Sequence, residues 1–134
     1  MNGLRSWWIG FSLIIIFILM SELAVVFRDY VFSRLGLNRN LVLTLLWLLP
    51  AIASFVVVYF SRDRKILKGL SLIPLLSVLG PIIHFLFGKY GATIDFGGLE
   101  GLRVTFQIYF ALSAITIVVG MVVGWLFNKS RKQV

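Results

Sequence analysis

Cysteine is absent from the 134 residues, histidine occurs once, and Asp and Glu together number five. Without cysteine there is no disulfide, no thiolate nucleophile and no thiolate metal site, and cysteine usage says nothing of the redox compartment. One histidine cannot complete an ordinary nitrogen–sulfur zinc site from a single chain, and haem ligation by His84 would need a second subunit. No GxSxG, P-loop or dinucleotide fingerprint occurs; Gly97-Gly98 followed by Gly101 is too sparse and lacks a strand–helix context. The sequence therefore predicts no catalytic site, no metal and no cofactor, and so not an enzyme.

Charge is scarce as well. Charged residues make up 13% of the chain and hydrophobic residues 60%, with a mean hydropathy of +0.99. A soluble domain carries about 25% charged residues, so the indicated solvent is lipid. The formal net charge of +8 would suit nucleic acid if it formed a patch, but the basic residues gather at the ends of apolar runs. That placement suits anionic headgroups and predicts a lipid bilayer, not nucleic acid, as the partner.

Four such runs are present, at 7–27, 41–60, 69–87 and 104–127. Each is about 20 residues or longer, and at ~1.5 Å per residue that crosses a hydrocarbon core of ~30 Å. The first is longer than a signal-peptide core and no small-x-small cleavage site follows it. The predicted fold class is an all-α membrane protein, with four transmembrane helices packed as a bundle of two hairpins in a single domain, 1–134. Gly36 suits a helix stop after the first linker, and Asn38 or Asn40 suits the cap of the second helix. The second hairpin closes through a glycine-rich loop, 88–103, in which Thr93-Ile94-Asp95-Phe96 reads as extended and Gly97-Gly98 as a turn.

Four crossings put both termini and a basic loop, 61–68, on one side. That side carries Arg5, Arg62, Arg64, Lys65, Lys68, Lys129, Arg131 and Lys132 against Asp63 alone. The other carries Arg28, Arg34, Arg39, Lys89 and Arg103 against Glu22, Asp29, Asp95 and Glu100. Lys and Arg set topology, so the basic side is predicted to be cytoplasmic and the membrane to be the inner one. Trp7, Trp8, Tyr59 and Trp125 fall at the same face, as an interfacial aromatic belt does.

Two helices carry stripes of small or weakly polar residues. Pro74, Ser77, Pro81, His84 and Gly88 share one face of the third, and at ~100° per residue that face is about 80° wide. Tyr109, Ser113, Thr116, Gly120 and Gly124 form the stripe of the fourth, with a GxxxG at its end. Both are predicted to face protein. Gln107, Ala111 and Ala114 lie nearly opposite, which gives the fourth helix a second protein-facing side.

The candidate site is a polar layer of Glu22, His84 and Gln107, predicted at one depth near the outer boundary on three different helices. An ionisable residue inside a span is costly and is a functional suspect for that reason; the competing reading is interhelical bonding or snorkelling. Asp95 and Glu100 are better explained by capping or pairing with Lys89 or Arg103. The expected function is that of a non-catalytic membrane protein binding another membrane protein or itself, in an accessory, assembly or immunity-type role. The alternative is a homo-oligomeric transporter or channel using Glu22 and His84.

Overall fold

The computed structural model describes residues 3–26, 30–90 and 98–133, and every element among them is helical. In order these are α1 (Gly3–Val26), α2 (Tyr30–Leu35), α3 (Arg39–Leu46), α4 (Leu48–Phe60), α5 (Lys65–Leu70), α6 (Leu72–Tyr90) and α7 (Gly98–Gln133). Four helical stretches are long and apolar enough to cross a membrane: Leu4–Ala24, Asn40–Phe60, Lys65–Leu86 and Glu100–Arg131.

Helix α2 stands apart from these stretches, and proline explains why two of the four are divided, α3 from α4 and α5 from α6. Pro50 has no N–H, so the Leu46 carbonyl four residues earlier loses its helical donor. Helix α3 ends at Leu46, and α4 starts one residue after Trp47. Pro74 acts on Leu70 in the same way: α5 ends there and Ser71 forms the break. Pro81 removes the donor for Ser77, yet α6 runs through it. At this point Gly80 and Ser77 are both packed on α7, and those contacts hold the helix line.

The first linker follows local chemistry. Gly36 takes a left-handed φ of +62°, which stops α2. Asn38 caps α3, its side chain accepting from the backbone N–H of Asn40 at 3.0 Å and of Leu41 at 3.5 Å. Two loop boundaries are corrected. The turn after α4 is only 61–64, because helix resumes at Lys65, with Arg64 in a left-handed conformation at φ 49°. In the glycine-rich segment α6 reaches Tyr90 and α7 already begins at Gly98, so most of it is helical. The extended piece predicted at Thr93–Phe96 lies outside the described residues. Helix α7 also continues through the basic tail to Gln133, since Lys and Arg are good helix formers and nothing there breaks the helix.

Helix α7 packs on α4 and α6, and α1 packs on the same two. The core is formed by Ile14, Phe17 and Ile18 of α1, Ala53, Val57 and Val58 of α4, Leu72 and Leu76 of α6, and Ile117 and Met121 of α7. Close approach comes from small residues. A side chain on Gly10 would strike Val57, and one on Gly80 would strike the Tyr109 ring. Gly120 lies on the Ala51 carbonyl, and Gly124 lies on the Phe55 backbone. The predicted α7 stripe therefore divides: Tyr109 and Ser113 meet α6, while Gly120 and Gly124 meet α4. Thr116, between them, is only partly buried and bonds back to the Leu112 carbonyl at 2.8 Å. In α6, Ser77 and Pro81 are buried, but Pro74 is exposed and is not part of the packed face. Leu72, Leu76 and Gly80 are buried beside Ser77 and Pro81, so the packed face of α6 is centred to one side of the predicted stripe and Pro74 falls past its edge.

One end of the bundle is tied by side-chain hydrogen bonds. Ser6 Oγ and Ser61 Oγ are 3.0 Å apart, Trp7 Nε1 donates to Ser71 Oγ at 3.0 Å, and Asn128 Nδ2 donates to the Tyr59 carbonyl at 2.7 Å. The start of α1, the turn 61–64 and the end of α7 thus share this end.

Candidate functional site

The inward stripe of α1 runs Ser6, Gly10, Ile14, Phe17, Ile18, Glu22. Ser6, Gly10, Ile14, Ile18 and Glu22 recur every four residues, with Phe17 three after Ile14, so the same helical face that buries Phe17 also buries Glu22. Glu22 is 2% exposed. From α6, His84 arrives seven residues after Ser77, two turns further along the packed face. Its Nδ1 lies 2.6 Å from Glu22 Oε1, a hydrogen bond between residues 62 positions apart. The His84 side chain is 17% exposed.

Two charge states keep this pair neutral overall: carboxylate with imidazolium, and carboxylic acid with imidazole. In either, one proton lies between Oε1 and Nδ1. An uncompensated charge in a packed interior is costly, so each residue makes the other tolerable. The arrangement can hold a proton and tie α1 to α6. The indentation beside His84, lined by Pro81, Phe85, Leu102 and Thr105, has no room for a water molecule.

The surroundings are aromatic and close-packed. Phe17 and Trp47 have ring centroids 4.7 Å apart, and Trp47 and Tyr109 5.8 Å apart. Tyr109 rests on Gly80, within electrostatic reach of Glu22. Deeper in the bundle, Ser77 Oγ and Ser113 Oγ share a hydrogen bond of 3.0 Å between α6 and α7. Sequence patterns had placed both serines on protein-facing stripes, without pairing them.

Gln107 does not join the layer. It is exposed on the outer side of α7. Thr105 and Tyr109 face inward, and a residue two positions from each is turned about 200° away. The Gln107 side-chain amide makes no hydrogen bond to the described residues. Ala111, one turn on, is exposed on the same side, and Ala114 is half-buried. Among the described residues no three His, Asp or Glu side chains gather as a metal site would require. Of the topology-setting residues, Arg62, Arg64 and Arg131 are exposed, Lys65 and Lys68 are half-buried, and Lys129 lies 5.5 Å from the Trp125 ring centroid.

Three contacts carried no sequence signal of their own: Ser6 with Ser61, Trp7 with Ser71, and Asn128 with Tyr59. The fourfold spacing of Ser6, Gly10 and Ile14 marks the face that leads to Glu22, and that spacing is visible in the sequence alone. Compared with known proteins, the chain matches no family model, no curated protein and no solved structure.

Proposed function

We propose that this chain is an integral protein of the cytoplasmic membrane, with both termini in the cytoplasm, that works without catalysis by binding a second membrane protein. Membrane insertion as two hairpins is supported by the exterior, which presents large apolar side chains on every long helix, among them Ile16, Ile52, Ile82 and Ile115. Orientation rests on the excess of Lys and Arg at the tied end.

The observation that carries the binding role is Gln107. Interior polar groups meet one another, as Glu22 meets His84 and Ser77 meets Ser113. Gln107 instead points outward from a membrane-length helix with its amide unbonded. An amide left unbonded in hydrocarbon is unfavourable, and a polar group on a partner helix relieves it. Ala111 beside it allows close approach.

A photo-crosslinking residue at position 107 or 111, compared with one at the exposed Ile16 of α1, tests this in cells. A discrete adduct from 107 and 111, absent from 16, is expected. An adduct near 30 kDa, twice the 15.2 kDa chain, would make the partner a second copy. No adduct, or the same adducts from all three positions, refutes the reading.

A second reading is favoured by the Glu22–His84 pair itself: a homo-oligomeric proton-linked transporter or channel. One four-helix chain is barely enough to enclose a path, so the oligomer is required. Solute or proton flux in vesicles that disappears in Glu22→Gln would favour it over the first.

A further inference from the structure

At the tied end of the bundle a recess of about 550 Å³ opens between the end of α4, the turn 61–64, the start of α5 and the end of α7. That volume falls within the ~300–1,000 Å³ usual for small-molecule sites. Its wall carries three cations, Arg62, Lys65 and Arg131, and two neutral polar side chains, Ser61 and Asn128. Asp63, although next to Arg62 in sequence, is not part of the wall. Neither Arg62 nor Arg131 pairs with a carboxylate among the described residues.

Arg62 and Arg131, set around one recess, repel each other less when an anion sits between them. Two of the three are guanidinium groups, whose planar forks match the paired oxygens of a phosphoryl group. Asn128 is already fixed by its bond to the Tyr59 carbonyl, which leaves its second amide N–H to donate. The recess also lies where apolar surface begins: Phe60 forms part of its wall at 39% exposure, and Ile66 and Phe127, near it in sequence, are 61% and 59% exposed. A soluble anion has no use for those side chains, whereas acyl chains would cover them.

We propose that this recess is a discrete site for the phosphodiester headgroup of an anionic phospholipid, held by Arg62, Lys65 and Arg131. It differs from the diffuse attraction of a basic surface because it depends on which cations are present and not on their number. It is independent of the partner-binding face on α7, which lies on another part of the molecule.

The test is native mass spectrometry of the full chain in detergent, titrated with phosphatidylglycerol, with phosphatidylcholine or with inorganic phosphate. Phosphatidylglycerol is expected to give one saturable adduct, about tenfold tighter than phosphatidylcholine. Arg62→Gln, Lys65→Gln and Arg131→Gln combined should weaken it by about tenfold or more. Arg5→Gln, Lys68→Gln and Lys129→Gln combined lower the net charge equally and should change it by less than about threefold. Thermal midpoints of the two triple variants, measured alongside, show whether both are folded. Equal loss in both folded variants, or equal binding of the two lipids, overturns the proposal. Inorganic phosphate bound as tightly as phosphatidylglycerol overturns the lipid as the source of the anion.

Discussion

Gly120 and Ala51 meet backbone to backbone, the tightest approach of α7 to α4, and a Cβ on Gly120 would fall on the Ala51 carbonyl and the Ser54 hydroxyl. The Ala51 contact is backbone, and the Ser54 hydroxyl is itself held on the Ala51 carbonyl at 2.9 Å. Gly120→Leu should therefore lower stability by about 1–3 kcal/mol or more, as overpacking does. Gly124→Leu, set on the Phe55 backbone, should do likewise. Val119 is 54% exposed, and Val119→Leu should stay within about 0.5 kcal/mol. Thermal unfolding in detergent separates them; three equal midpoints would mean that α4 and α7 do not pack through these glycines.

The Glu22–His84 bond sets a second expectation. Glutamine keeps the shape and can bond to imidazole, so under the binding role Glu22→Gln should leave both stability and partner capture nearly unchanged. Glu22→Ala should cost on the order of 1 kcal/mol, the scale of an interhelical hydrogen bond in a membrane. In a double-mutant cycle with His84→Ala the two losses should be less than additive. A Glu22→Gln chain of normal stability that has lost all activity would shift the assignment to the proton-linked transporter.

Ser77 and Ser113 should behave as one unit. Each alanine substitution alone is expected to cost about 0.6 kcal/mol, and the double substitution little more than one of them. Fully additive losses, read by equilibrium unfolding in mixed micelles, would show that the two hydroxyls act separately.

Topology is directly testable because the chain has no cysteine of its own. Single cysteines in place of Lys65 and Lys132 should react with an impermeant maleimide only from the cytoplasmic side, and one in place of Lys89 only from the other. Outside labelling at position 132 would reverse the orientation drawn from the Lys and Arg excess.

Much of the architecture was legible because its signals are long. Four apolar runs of about 20 residues give four membrane-length stretches. The α7 stripe identified Gly120 and Gly124 as contact positions, and Asn38 was one of two candidate caps. What was missed lies in single residues. Pro50 and Pro74 each remove a backbone donor, but a linear pattern does not say whether a helix is interrupted there or continues, as α6 does through Pro81. Pro74 was assigned to the packed face from the spacing of small residues alone, but the buried leucines Leu72 and Leu76 centre that face elsewhere and leave Pro74 at its edge. Gln107 was grouped with Glu22 and His84 by depth alone. Depth fixes position along the helix axis, and only the angle about it, set here by Thr105 and Tyr109, decides what meets.

The continuity of α7 beside two divided neighbours has a mechanical consequence. At ~1.5 Å per residue its 36 residues make a rod of about 54 Å, and a rod shifts as a whole. Its two partners are each interrupted at one residue, Trp47 near the start of one stretch and Ser71 near the start of the next, with the backbone at both still in the right-handed helical region. The short arm beyond Ser71 is α5, and it carries Lys65 into the basic recess. A swing of that arm about Ser71 would widen or narrow the recess while the rest of α6 stays in place. Spin labels at Ile66 and Phe127 would read the spread of that distance, and Pro74→Ala, by restoring the donor to the Leu70 carbonyl, should narrow it. An unchanged spread would show that Ser71 is a fixed bend and not a pivot.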